Sequence, residues 1–299
     1  MNEAYSPRRW ANTLSMLLSA AYGSDRFPVQ LQELACDYSR QRFSDDPIDK
    51  VKGKPLPSFE GGLIRLPPSK GKGWGILYNS DISSPGRQNY TIGHEFGHYL
   101  LHRHKYPEGL QCSQDDLVRW DSEYGKIESE ANIFAANLLM PLDDFRSQIG
   151  ASDKPILSDI GICADRYSVS LMASTLRWLE YTQRRSILVV SRDGFILWSR
   201  ASKPALKTGI FYKTRGVAPV PIPSGSLAER ASRRMLTEAA VEHGSNVWFG
   251  QDSEEIILVS DRYDFTMSLI HFASAESYGA WGEEEPEEDT FQRFTKNNR

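Results

Sequence analysis

At 299 residues, with 40% hydrophobic, 25% charged and 11% aromatic residues, the chain has the composition of an ordinary globular protein, with room for about two domains. A formal charge of −4 provides no global basic field for nucleic acid, so direct DNA binding is not expected. Cys36, Cys112 and Cys163 are odd in number, far apart and never spaced as C-x-x-C, so neither a disulfide framework nor a thiolate metal site is expected. No leader-like stretch and no apolar run of bilayer length occurs, so the expected setting is the cytoplasm, away from membranes.

Taken in chain order, Pro7 to Tyr22 places Trp10, Leu14, Leu17, Leu18 and Ala21 at helical spacing, and Val29 to Tyr38 repeats the pattern. Loops rich in Gly, Pro and Lys surround a short strand at Gly62-Leu63-Ile64, and Trp74 to Asn79 reads as a second strand. Helices are expected from about Tyr90 to Arg103 and from Lys126 to Met140, where Pro141 stops the second. A polar insert, Lys105 to Gly125, separates them. Ile156 to Thr182 reads as small packed helices. It contains a helix-turn-helix-like stretch around Tyr167-Ser168-Val169-Ser170, with Arg166, Arg177, Arg184 and Arg185 nearby.

After Arg185 the pattern alternates. Ile187 to Val190, a turn at Arg192-Asp193-Gly194 and Phe195 to Trp198 predict a hairpin. Ile210 to Tyr212, Asn246 to Phe249 and Ile256 to Val259 read as strands, Leu227 to Val241 as an amphipathic helix, and Glu283 to Asp289 as part of an acidic tail. The expected fold class is α+β. Residues 1–150 form a mainly helical unit with a small sheet, 151–185 a helical connector, 186–282 a C-terminal α+β sensor or interaction domain of GAF- or PAS-like type, and 283–299 the tail.

The chemistry concentrates in His94-Glu95-Phe96-Gly97-His98. Helical residues four apart lie about 40° from each other, so both imidazoles leave one face and suit a tetrahedral Zn²⁺, with Glu95 as general base. Gly93 and Gly97 each cost a helix about 1 kcal/mol against Ala, which suggests a close-packed neighbour. A third ligand has several candidates. His104 stands at the metzincin position, but Leu101 replaces the glycine that would turn the chain there. His102 shares the face of the pair one turn further on, where an indirect or structural role is expected. On the next helix, Glu128 falls at the edge of the buried face and Glu130 about 200° round from it, toward solvent. A carboxylate aimed at the core needs a partner, so the arithmetic favours Glu128.

The blocks Tyr90 to His102 and Glu128-x-x-Ala131-Asn132-x-Phe134-Ala135, leading to Leu138-Leu139-Met140-Pro141, resemble the ImmA/IrrE metallopeptidases. The likeness is strong from about Trp74 to Pro141, fair over the flanking helices to about Thr182 and weak beyond Arg185. Residue by residue it implies His94, His98 and Glu128 as ligands of one zinc ion per chain, Glu95 as catalytic base and a zincin-like, gluzincin-type peptidase domain. It also implies a protein substrate, a helix-turn-helix transcriptional repressor cut in stress, phage or mobile-element regulation. A metal-binding regulator without proteolysis and a direct DNA-binding factor are the competing readings. Tyr90, Tyr99, His102 and His104 are candidates for a second oxyanion donor. Gly75, Ile76 and Leu77 would pair with an extended substrate if their strand were an edge.

Overall fold

The computed structural model describes residues 6–57, 59–69, 71, 73–113, 123–231, 238–260 and 264–273. The acidic tail expected at Glu283 to Asp289 and residues 114–122 of the polar insert lie outside them. Two helices open the chain, α1 (Pro7–Tyr22) and α2 (Leu31–Arg42). Ser6 caps α1 by accepting the Arg9 N–H, and Pro7 occupies the first turn, where its missing N–H costs nothing.

Four strands follow, interrupted by the long helix α3 (Pro85–His102). They are β1 (Ile48–Lys54), β2 (Phe59–Arg65), β3 (Trp74–Asn79) and β4 (Gly109–Ser113), in the order β1-β3-β2-β4. β3 therefore lies inside the sheet, parallel to β1 and antiparallel to β2. The expectation that Gly75, Ile76 and Leu77 offer a free edge to substrate is overturned, because both sides of their backbone are already paired. The free edges of this sheet belong to β1 and β4.

α4 (Glu123–Leu139) packs along α3, and Pro141 separates it from α5 (Leu142–Gln148). The helix-turn-helix-like stretch forms α6 (Leu157–Tyr167) and α7 (Leu171–Tyr181), joined through Ser168 in the left-handed region at φ 49°. Both are packing elements. Ile160, Tyr167 and Trp178 are completely buried. Arg166 bonds the Asp144 carboxylate, Arg177 the Met140 carbonyl, Arg184 the Ser152 carbonyl and Arg185 the Ala273 carbonyl. Four arginines that would have to meet phosphates are thus engaged in contacts within the fold.

From Ser186 the chain builds β5 (Ser186–Arg192), β6 (Phe195–Ala201), α8 (Lys203–Lys207), β7 (Val220–Pro221), α9 (Leu227–Ala231), β8 (Glu238–Trp248), β9 (Gln251–Ser260) and β10 (Phe265–Phe272). The strands form one antiparallel sheet ordered β7-β6-β5-β10-β9-β8. The fold class is α+β. Of the helix expected over Leu227 to Val241, residues 227–231 form α9, residues 232–237 lie outside the described residues, and those from 238 onward are strand. Ala239 and Val241 alternate into a small cluster with Ile257 and Val259, so pairing with β9 overrides local helix propensity. Ile210 to Tyr212 is not a strand either. Ile210 is buried, but its N–H bonds back to the carbonyl of Ala205 within α8.

β5 is buried on both faces. Ile187 and Val189 join Trp248 and Ile270 in an outer cluster, while Leu188 and Val190 join the large core that also contains Trp10, Phe96, Phe134 and Trp178. The change in sequence character at Ser186 marks a change of architecture, yet the hydrophobic core runs through it. Among the described residues no helix is long and apolar enough to cross a membrane.

Candidate metal centre

α3 begins where Ser84 accepts the Arg87 N–H and Pro85 sets the first turn. Twelve of its residues are buried, including the whole run from Thr91 to Leu100. Such burial requires close neighbours, and Gly97 provides for one of them. A methyl group there would meet Phe134 Cδ1 at 2.9 Å and the Ala131 Cα at 3.2 Å, so the glycine lets α4 lie against α3. Gly93 is less crowded: its tightest contact would be the end of the Leu31 side chain, Cδ1 at 3.3 Å, and no backbone atom comes as close.

That close approach brings Glu128 to the two histidines. His94 Nε2 and His98 Nε2 lie 2.9 Å apart, and the Glu128 carboxylate oxygens stand 3.2 Å from the first and 3.1 Å from the second. Ligand atoms about 2.0–2.2 Å from a tetrahedral ion lie roughly 3.3–3.6 Å from one another. The three atoms are therefore a few tenths of an ångström from such a cage, and this His-His-Glu group, buried throughout, is one that could hold a metal ion.

The far sides of the imidazoles decide which nitrogens point inward. Asn132 Oδ1 accepts from Tyr90 Oη at 2.8 Å and lies 2.9 Å from His94 Nδ1, so His94 donates through Nδ1 and turns the Nε2 lone pair to the centre. His98 Nδ1 is 3.0 Å from His102 Nδ1, and His102 Nε2 is 3.0 Å from Glu130 Oε2. The carboxylate can only accept, so His102 donates from Nε2 and accepts at Nδ1. His98 must then donate from Nδ1, which leaves its Nε2 lone pair facing Glu128. Two lone pairs and a carboxylate directed at one point, with every outer nitrogen satisfied, is the donor set of a cation site.

The electrostatics agree. Burial depresses both central imidazoles; hydrogen bonding and charge attraction from Glu128 lift His94 back above its ordinary value, while His98, fully enclosed, falls to about 4. Burial pushes Glu128 up, but the two imidazoles outweigh it and hold the carboxyl well below the usual range. The negative field of Glu128 that lifts His94 would equally favour a divalent ion.

Glu95, completely buried, lies on the side of α3 next to β2, where a methyl group on Gly61 would come within 3.1 Å of Glu95 Oε1 and also strike Thr91. Gly61 thus makes room for the Glu95 carboxylate. The other candidates separate. His104 is exposed beyond the end of α3, outside the cluster. Tyr99 is core, its hydroxyl donating to the Asp46 carbonyl at 2.7 Å. Glu130, expected to face solvent, instead folds back to His102 and remains about one-third exposed. The sequence reading gave no role to Asn132 or Gly61. Asn132 could have been found, standing one helical turn after Glu128, and a glycine inside a strand signals close approach.

A scan of family models matches residues 50–179 to Peptidase_M78, the IrrE N-terminal-like domain. A search of the curated proteins found no match. The matched stretch includes α3, α4 and all four residues of the centre, and over residues 50–179 the chain is similar to the IrrE N-terminal-like domain of Peptidase_M78, a metallopeptidase family.

Proposed function

We propose that the protein is a zinc-dependent endopeptidase acting on a protein substrate, with His94, His98 and Glu128 holding the ion and Glu95 as general base. The observation that carries this reading is the convergence of the three ligand groups within 4.8 Å of one another, one residue along the helix from Glu95. Two imidazoles and one carboxylate suit Zn²⁺ and leave a fourth position open. A zinc ion held there would supply Lewis acidity toward the scissile carbonyl and the attacking water.

Glu95 would accept the proton of that water and return it to the leaving amine. Its enclosure between α3 and β2 fixes its position beside the ligands. His102 and Glu130 would hold His98 in its ligating tautomer, as Asn132 holds His94. For substrate, the family likeness favours a helix-turn-helix repressor, cut to release the genes it silences in stress, phage or mobile-element regulation, in the cytoplasm. Engagement of the connector arginines within the fold favours this over direct DNA binding.

Metal analysis combined with cleavage tests the proposal. The purified protein should carry about one equivalent of zinc. Glu95→Gln should retain it yet no longer fragment a co-expressed repressor, whereas Glu128→Ala should lose both metal and cleavage. Zinc well below half an equivalent in protein never exposed to chelator would refute it.

A further inference from the structure

A cleft of about 480 Å³ begins beside the metal centre, at Tyr90 and Asn132. It follows one face of α4 through Ser129, Ile133, Ala136 and Asn137, and α7 supplies the opposite wall with Met172 and Leu176. At its far end it meets a second cleft of about 1020 Å³, and the two share Arg8, Asn137, Arg177, Glu180 and Arg200. At 1.5 Å per residue, Ser129 to Asn137 spans roughly 12 Å. The groove is thus apolar along its middle and cationic at the junction, while the ion-paired Glu60 and Arg87 also belong to its lining.

The charge at the junction is incompletely balanced. Arg177 is buried and bonds the Met140 carbonyl, Asn137 and Glu180. Arg8 and Arg200 are exposed and have no ion pair among the described residues, so three guanidinium groups face one carboxylate. Burial lowers the pKa of Arg177, and repulsion from Arg8 adds to the effect even against the pull of Glu180. An acidic group entering here would relieve that repulsion.

We propose that this groove is the recognition channel for an extended peptide segment of the substrate, taking a large apolar side chain between α4 and α7 and an acidic side chain, three or four residues away, against Arg8 and Arg200. The inference rests on the reading of the metal site as a peptidase centre. The spacing follows from strand geometry, since three or four extended residues cover about 10–13 Å. Methionine suits such a wall because its unbranched, polarisable side chain adapts to different apolar partners. Arg200 lies on β6, so the C-terminal sheet forms part of the substrate site. The core shared between the two parts of the molecule holds that arginine at a fixed distance from the metal. An apolar floor and a net charge of −4 disfavour nucleic acid as the occupant.

The test uses full-length, zinc-loaded Glu95→Gln protein, which can hold a peptide without cutting it, and fluorescent dodecapeptides of Gly, Ser and Ala. Each peptide carries one Leu and, three or four residues to either side, Glu or Lys. Anisotropy should show at least one Glu peptide binding about fivefold or more tighter than its Lys counterpart, as expected for two exposed ion pairs. Arg8→Glu combined with Arg200→Glu should reverse that order. Equal affinities, an order unchanged by charge reversal, or no binding up to about 1 mM would overturn the assignment. So would displacement of the Glu peptide by a single-stranded oligonucleotide. Zinc content measured on the same samples keeps the two claims separate: low zinc counts against the peptidase reading, while anisotropy alone decides the groove.

Discussion

Gly93 and Gly97 occupy successive turns of the same helix but answer to different neighbours. At Gly97 an added methyl group would overlap Phe134 and the Ala131 backbone, so Gly97→Ala forces α3 and α4 apart. We expect a destabilisation of about 1–3 kcal/mol, typical of overpacking, together with weaker metal binding because Glu128 retreats from the histidines. Gly93→Ala meets only side-chain ends that can yield, and replacing a helical glycine recovers up to about 1 kcal/mol. Urea unfolding of both variants checks the contrast, and equal effects would show that the helix spacing is not set at Gly97. The outer hydrogen bonds carry a second prediction. His102→Ala removes the acceptor that fixes the His98 tautomer, and Glu130→Gln weakens the hold on His102. Competition with a chelator of known strength should show a roughly 10–100-fold loss of zinc affinity for the first and a smaller loss for the second. Unchanged affinity in both would reduce the His98–His102–Glu130 chain to packing.

Among the elements, α5 is tied to α6 through one carboxylate. Asp144 accepts from Arg166 Nε at 2.8 Å and Nη2 at 2.9 Å and from the Tyr167 hydroxyl at 2.6 Å. Burial would raise its pKa, but these bonds outweigh that effect and hold the carboxyl below its ordinary value. A carboxyl with a depressed folded pKa contributes stability that is fully present above the unfolded value, about 3.9, and is lost as pH falls through the folded one. Wild-type protein should therefore lose stability below about pH 4 more steeply than Asp144→Asn, which has no carboxylate to protonate there. Parallel curves in melts across that range would contradict the role given to Asp144. The small sheet teaches a different lesson. Trp74 to Asn79 is legible as a strand from its apolar β-forming residues, but nothing local reveals that β1 and β2 flank it, because strand neighbours are chosen by contacts distant in sequence. For the same reason residues 238–241 read as helix in isolation and pair as strand in the fold.

Across the whole molecule, the C-terminal sheet completes the core of the metal-bearing part. Leu188, Val190, Ile256, Met267 and Leu269 belong to the same buried cluster as Phe96, Phe134 and Trp178. Lys154 also pairs with Glu254 at 2.6 Å, and the Pro155 carbonyl lies 3.0 Å from buried His271 Nε2. We expect one cooperative thermal transition for the full chain, and a poorly folded or aggregating product if it is cut after Arg185. Two well-separated calorimetric transitions would show that the shared core does not couple the parts.

The sequence by itself determined what depends on helical periodicity and on the chemistry of single side chains. It put His94 and His98 on one face, Glu95 beside them and Glu128 on the inward edge of the following helix, because rotation about a helix axis is a local property. Only the tertiary structure decided how near α4 comes to α3, that Glu130 turns back to His102, that Asn132 orients His94, that β3 has no open edge, and that Arg200 from the far sheet reaches the groove beside the metal. Those features depend on the distance and order of elements remote in sequence, which side-chain packing and strand pairing set once the chain has closed on itself.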